Sequence, residues 1–277
     1  MLEKASEDEA VPKHLDVLLD FLDCEYQVLQ SRRQSLLKND EITYDLLWTI
    51  FKPNTDIYTL CLGTGAPRCM RCNFGEERKR NDGTKYFHLE VRYLDFDGEN
   101  LGEATTALAI DEFRGAKKIN LLSSFPLTYH QQSHELKKQL IECGRKFISL
   151  VGVHHRAYEG KAFHFDKEGK IVIKAIDKSR IMVDAMFFRQ RNPNYRKAKI
   201  EPASDLSFIS WLHNDDDEDL SEGGRPLKAV EKDLEALREQ DLLICNSTVY
   251  GYSLKDQLWR KSSPVNHEIP AVADKLS

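Results

Sequence analysis

Apolar residues recur at three- and four-residue steps in residues 13–37. Leu15, Leu18, Leu19, Leu22, Tyr26 and Leu29 form a stripe, and charged residues fill much of the remaining surface. The spacing predicts one long helix that packs by this stripe on its own domain. A coiled-coil or partner-binding arm is the alternative, but the stripe holds too few clean heptads to favour it. Residues 44–51 predict a short helix. Thr43 caps its start, Asp45 sits in the first turn, and Pro53 stops it at Lys52. Trp48 and Phe51 are expected to anchor it to the core.

Beyond Pro53 the period changes to two. Residues 56–62 predict a strand. Across 85–96, Phe87, Leu89, Val91 and Tyr93 share one face while His88, Glu90 and Arg92 share the other. Asp97-Gly98 marks a turn, 100–111 a returning strand and 118–122 another, which together make an antiparallel meander. Residues 132–151 predict a second amphipathic helix carrying Leu136, Leu140, Cys143, Phe147 and Leu150. Residues 158–165 and 170–176 predict a second hairpin around Asp166-Lys167-Glu168-Gly169, and 180–184 a further strand. Pro226 opens a helix over 226–240, and 242–245 reads as a short final strand. The expected fold class is α+β: a hairpin-rich antiparallel sheet with a long N-terminal helix and a second packed helix. The expected organisation is a flexible start (1–12), an α+β domain (13–195), an acidic disordered loop (196–225), a helix and strand returning to the same domain (226–260) and a tail (261–277).

Composition narrows the classes. A chain of 277 residues holds one large domain or roughly two. Its 40 basic and 45 acidic residues leave a formal charge of -5, which argues against a dominant nucleic-acid or anionic-membrane footprint. No apolar run approaches a membrane span. The acidic start lacks the pattern of a signal or transit peptide, and six dispersed cysteines suit reduced thiols. Both point to an intracellular setting, cytoplasmic or nuclear. The acidic run 214–219 resembles the start of a Ca²⁺ loop. However, Leu220 stands where such a loop needs Gly, and Pro226 where it needs Glu.

Candidate chemistry is sparse. No stretch matches a phosphate-cradling P-loop, and Gly63-Thr64-Gly65 is a Gly-rich turn after a strand. Cys69-x2-Cys72 is half of a zinc pattern that only Cys61 and His88 could complete. Otherwise these are free thiols in an exposed basic loop, 63–83, with Arg68, Arg71, Arg78, Lys79 and Arg80, suited to an acidic partner. His154 and His155 read as loop or surface residues. Glu90 and Asp95 point to opposite faces of their strand by parity. No catalytic residue and no cofactor is assigned.

Several phrases stand in a characteristic order. They are Ile42-Thr-Tyr-Asp-Leu-Leu-Trp48-Thr-Ile-Phe51-Lys-Pro53, Tyr93-Leu-Asp-Phe-Asp-Gly98, Phe113-Arg-Gly115-Ala-Lys-Lys-Ile-Asn-Leu-Leu122 and Phe125-Pro126-Leu-Thr-Tyr-His130. Gly144-Arg-Lys-Phe147, Tyr158-Glu-Gly160, Arg180-Ile-Met-Val-Asp184 and Val249-Tyr-Gly251-Tyr-Ser-Leu-Lys-Asp-Gln-Leu-Trp259 follow. This set resembles the domain of unknown function that precedes the ATPase core in large fungal AAA-type ATPases, and it covers roughly residues 15 to 260. Cys143 departs from the pattern, which usually has Arg there, as does the acidic insert. The resemblance implies a non-catalytic accessory domain that recruits or positions a protein substrate or adaptor for an ATP-driven motor, with a structural role for the motif residues. The rival classes are a metal-dependent enzyme acting on phosphate or nucleic acid through Asp95 and Asp97 with Arg145, Lys146 and Arg180, and a stand-alone scaffold.

Overall fold

The computed structural model describes residues 4–166, 168–193, 200–201 and 237–268. The acidic run 214–219 and most of the helix expected over 226–240 lie outside the described residues. Along the chain, α1 (Lys4–Leu37) leads into β1 (Glu41–Thr43). A meander follows of β2 (Asp56–Leu60), β3 (Pro67–Lys79), β4 (Lys85–Phe96) and β5 (Leu101–Asp111). Then come β6 (Ala116–Lys118), β7 (Phe125–Pro126), α2 (Ser133–Ser149), β8 (Val153–Phe165), β9 (Ile171–Asp184), α3 (Ala185–Arg191) and β10 (Ile200–Glu201). The last elements are α4 (Glu239–Leu242), β11 (Val249–Ser253), β12 (Leu258–Ser262) and β13 (His267–Glu268). The fold is α+β with mostly antiparallel sheets.

The chain divides into two compact units: residues 1–47 with 113–122, and residues 48–112 with 123–277. In the smaller, β1 pairs antiparallel with β6, and Glu41 takes an ion pair from Lys118 at 3.2 Å across the ladder. The rings of Tyr44 and Phe113 meet edge-on at 5.9 Å. Arg32, near the end of α1, reaches Asp45 at 2.8 Å and Thr43 at 3.1 Å. The helix begins at Lys4, inside the stretch expected to be flexible. Its stripe is not packed among the described residues: Leu15, Leu18, Leu19, Leu22 and Tyr26 are 38–53% exposed. On the opposite face Val17, Phe21 and Val28 are exposed too, so no single side of this helix is the apolar one.

The larger unit holds two sheets. One has the order β10-β5-β4-β3-β2-β7. The other runs β12-β11-β9-β8-β13, and β12 also pairs with β8 at Lys261–Phe163 and Ser262–Ala162, so that four strands close a ring of ladders. Helix α2 is one-sided. Phe147 and Leu150 join Leu94 and Phe96 of β4, Val183 of β9 and Val249 of β11 in one core cluster, while Leu136 and Leu140 pack with Cys69, Leu127 and Ile244 in another. A parallel bridge from Leu94 to Cys245 fixes the segment entering β11 beside β4.

Several expected elements take other forms. The region 44–49 is a 3₁₀ helix rather than an α-helix. With three residues per turn, Tyr44, Leu47 and Ile50 fall on one buried side, while Trp48 falls behind exposed Asp45. Trp48 is therefore 51% exposed and is no anchor, whereas Phe51 is buried. The strand expected at 118–122 is a 3₁₀ turn, Ile119–Leu121, closed by the Leu122 N–H on the Ile119 carbonyl. The run 242–245 ends α4 and turns instead of forming a strand, because the Ile244 and Cys245 N–H groups bond back to Asp241 and Leu242. Residues 180–184 continue β9 beyond an irregularity in its pairing with β8 at Tyr158/Gly160. Residues 261–268, assigned to a tail, complete β12 and supply β13.

Candidate functional site

The basic loop expected at 63–83 is mostly strand β3. Met70, Cys72 and Phe74 alternate with Arg71 and Asn73, which is a legible strand signal that the charge count obscured. Cys69 and Cys72 are 1% and 0% exposed, not surface thiols. Burial pushes the Cys69 thiol far up and the Cys72 thiol up to about 11. An odd separation along a strand sends the two side chains to opposite faces. Cys69 joins the cluster under α2, and Cys72 donates to the Phe51 carbonyl. Among the described residues no three His, Cys, Asp or Glu side chains gather as a metal site.

A different set does converge. A cavity of about 540 Å³ lies between the two sheets of the larger unit. β3 contributes Arg68 and Met70, β4 Tyr93, β12 Lys261 and β8 Phe163, and the turn after β2 brings Cys61. The ladders explain the gathering. Thr59 of β2 pairs with Arg68, so both share a face of one sheet, while Lys261 pairs with Phe163 in the other. Cys61 is held by a tight turn: its N–H donates to the Ala66 carbonyl and its own carbonyl accepts from Gly65 N–H, each at 2.8 Å. Gly65 adopts a φ of 73°, which the turn requires. A side chain at Gly63 would collide with the Phe163 ring, so the wall closes only with glycine there.

The electrostatics of this cavity are uneven. Asp95, on the same strand face as Tyr93, accepts from the Phe96 N–H at 2.9 Å and from the Asn246 side chain. Burial raises its carboxyl above the usual range, while Lys261 and Arg68 pull the other way. Burial also lowers the Lys261 ammonium, and Arg68 lowers it further, against Asp95 and Cys61. The Tyr93 hydroxyl is pushed up to about 12 by burial and by Asp95. At Cys61 burial acts upward, but the Thr64 hydroxyl, the N–H groups of Thr64 and Gly63, and Arg68 together bring the thiol below its ordinary value. A second cavity, of about 810 Å³, runs along α2 beside Leu136, Leu140, Cys143 and Val265. Lys138 and Lys161 are matched there by Glu135 and Glu142, so it selects no sign of charge.

The carboxylate-and-cation set of the enzyme reading is split up. Asp97 caps its own turn and pairs with Arg189 at 3.1 Å, while Asp95 faces Lys261 and Asn246. Arg145 pairs with Glu142 and Glu239, and Lys146 donates to the Val265 carbonyl. Arg180 is exposed; Asp184 caps α3 through the Phe187 N–H at 2.8 Å, and the two lie on one strand ~13 Å apart. His154 and His155 stand on β8 rather than in a loop, opposite Val183 and Met182. The other motif residues have structural places. Pro53 sits in a turn closed by Thr55 N–H on the Lys52 carbonyl, and Pro126 pairs with Ile57. Gly98 backs onto the Met186 backbone, Gly144 onto Leu242, Gly160 onto Asn266 and Gly251 onto Ile181, while Gly115 takes a φ of 74° in the open. Trp259 packs among Phe187, Phe188 and Tyr252.

Residues 32–131 match a family model described as a domain of unknown function, DUF7025. The DUF7025 match covers less than half of the chain, spans β1 to β7, and includes Cys61, Arg68 and Tyr93 but not Lys261. It brings no activity with it and no link to AAA-type ATPases. No curated protein and no solved structure matches the chain. Asn246, Thr248 and Lys261 also line the cavity between the sheets, and nothing local in the sequence marks them. Asp95 was legible as a charge at the parity of Leu89 and Val91, an apolar face.

Proposed function

We propose that the chain is a non-catalytic accessory domain of an AAA-type ATPase, which recruits or positions a protein substrate or adaptor for an ATP-driven motor. The ordered set of phrases from Ile42 to Trp259 carries this reading; the DUF7025 match marks residues 32–131 as a domain of unknown function and adds nothing on the motor. Geometry favours holding over turnover. The Gly63-Thr64-Gly65 turn leads into a strand, so it offers a phosphate no helix N-terminus. The apolar residues of α1 that face solvent suit contact with a protein.

Two measurements test the reading. The transcript read past Ser277 is expected to encode a P-loop within the next few hundred residues; a reading frame that closes without one removes the motor from the proposal. Purified chain with Mg-ATP is expected to show no turnover and no saturable rise in Tm. A ligand that binds the folded state at a hundred times its Kd stabilises it by about 2.7 kcal/mol, so ATP binding would be plain to see. Hydrolysis abolished by a point change within the chain would overturn the non-catalytic half.

A further inference from the structure

The cavity between the sheets of the larger unit carries a charge that its own side chains leave unbalanced. Arg68 and Lys261 line it, and Asp95 is the carboxylate that acts on both. Among the described residues neither cation is in an ion pair. Each stands over a ring instead, Arg68 at 5.1 Å from the centre of Tyr93 and Lys261 at 4.7 Å from that of Tyr250. A cation taken out of water is costly unless it is paired, and a ring face replaces only part of its hydration. Asp95 is already engaged by the Phe96 N–H and Asn246. Two positive groups against one negative leave room for a single further negative charge.

The remaining wall defines the body of an occupant. Met70, Leu108, Phe163 and Ile171 present apolar surface, and exposed Leu62 and Phe165 carry it out to the mouth. Thr59 and Ser124 are tied to one another at 3.2 Å, so their hydroxyls add little pull of their own. A volume near 540 Å³ falls within the range of about 300–1,000 Å³ that suits small-molecule sites.

We propose that this cavity binds a small organic monoanion, with a carboxylate head between Arg68 and Lys261 and an apolar body along Phe163, Met70 and Leu108. The charge balance selects the carboxylate, since a phosphate dianion overshoots it by one. The assignment is independent of the motor reading, because it rests on the side chains of this one unit.

The test uses the whole chain and anilinonaphthalene sulfonate, a fluorescent apolar monoanion, as reporter. Saturable binding at one site is expected, displaced by decanoate, poorly displaced by decyl phosphate and not displaced by decanol. Arg68→Met and Lys261→Met are each expected to weaken decanoate binding by about tenfold or more, as loss of a charge-assisted contact does. Arg68→Lys, which keeps the charge, is expected to retain most of the affinity and guards against a folding artefact, with circular dichroism as the check. Decanol competing as well as decanoate, or both Met variants binding like the parent, would overturn the anion site. Decyl phosphate binding more tightly than decanoate would overturn the charge-balance argument.

Discussion

Helices α1 and α2 carry apolar residues at the same three- and four-residue steps, yet their fates differ. In α2 the apolar positions lie on one side, and Leu136, Leu140, Phe147 and Leu150 are all buried. In α1 the stripe of Leu15, Leu18, Leu19 and Leu22 is backed by Val17, Phe21 and Val28, and all of them face solvent. Apolar residues at helical spacing establish that a segment is helical. Polar residues on the opposite side establish that it packs on its own chain, because only then does one orientation remove most apolar surface from water. The exposed surface of α1 is what the recruitment reading draws on.

The contrast can be broken most sharply at Phe147. Phe147→Ala should lower unfolding free energy by about 3–5 kcal/mol, read as a fall in the urea midpoint at unchanged slope. Gly144 sharpens it. Replacing glycine by alanine inside a helix ordinarily stabilises, but here the new methyl meets the Leu242 carbonyl. Gly144→Ala should therefore cost about 1–3 kcal/mol, the range for overpacking. A stabilised variant would mean that α4 does not sit against α2.

On the α1 side the effects should be small. Asp45→Asn removes an exposed ion pair with Arg32 and should cost under about 1 kcal/mol. The hydrogen bond from Thr43, followed by that from Arg32, holds the Asp45 carboxyl below the ordinary carboxylate value. A depressed folded value means that the contribution is present above the unfolded carboxylate pKa of about 3.9 and is lost as pH falls through the folded value. The parent and Asp45→Asn stability curves should thus converge in acid. Leu18→Ala should change stability by no more than about 0.5 kcal/mol. A loss near that of Leu140→Ala, about 2–5 kcal/mol, would show that the α1 stripe is packed in solution and would end the contrast.

Legibility followed the range of the deciding interaction. Residues 85–96 were readable as a strand with the correct buried face, because side-chain alternation is a property of the strand itself. The turn at Asp97-Gly98 was readable for the same reason: the Asp97 carboxylate accepts from Glu99 and Asn100 N–H groups two and three residues away. Residues 67–79 were misread because arginines dominate the count, although those at 68 and 71 lie on β3 beside residues that are fully buried. Trp48 was misplaced because residues 44–49 wind at three residues per turn rather than 3.6.

The amino-acid order by itself determined the α+β class, the β4–β5 hairpin and the helical state of α1 and α2, since these depend on periodicity and turn chemistry within a few residues. Tertiary structure alone decided the cavity. Cys61, Arg68, Asp95, Asn246 and Lys261 come together only because β12 closes on β8 and because the segment before β11 hydrogen-bonds along β4. Neither pairing is encoded near any of those residues. The electrostatic character of the site arises from burial and mutual proximity, which exist only once the two sheets have met.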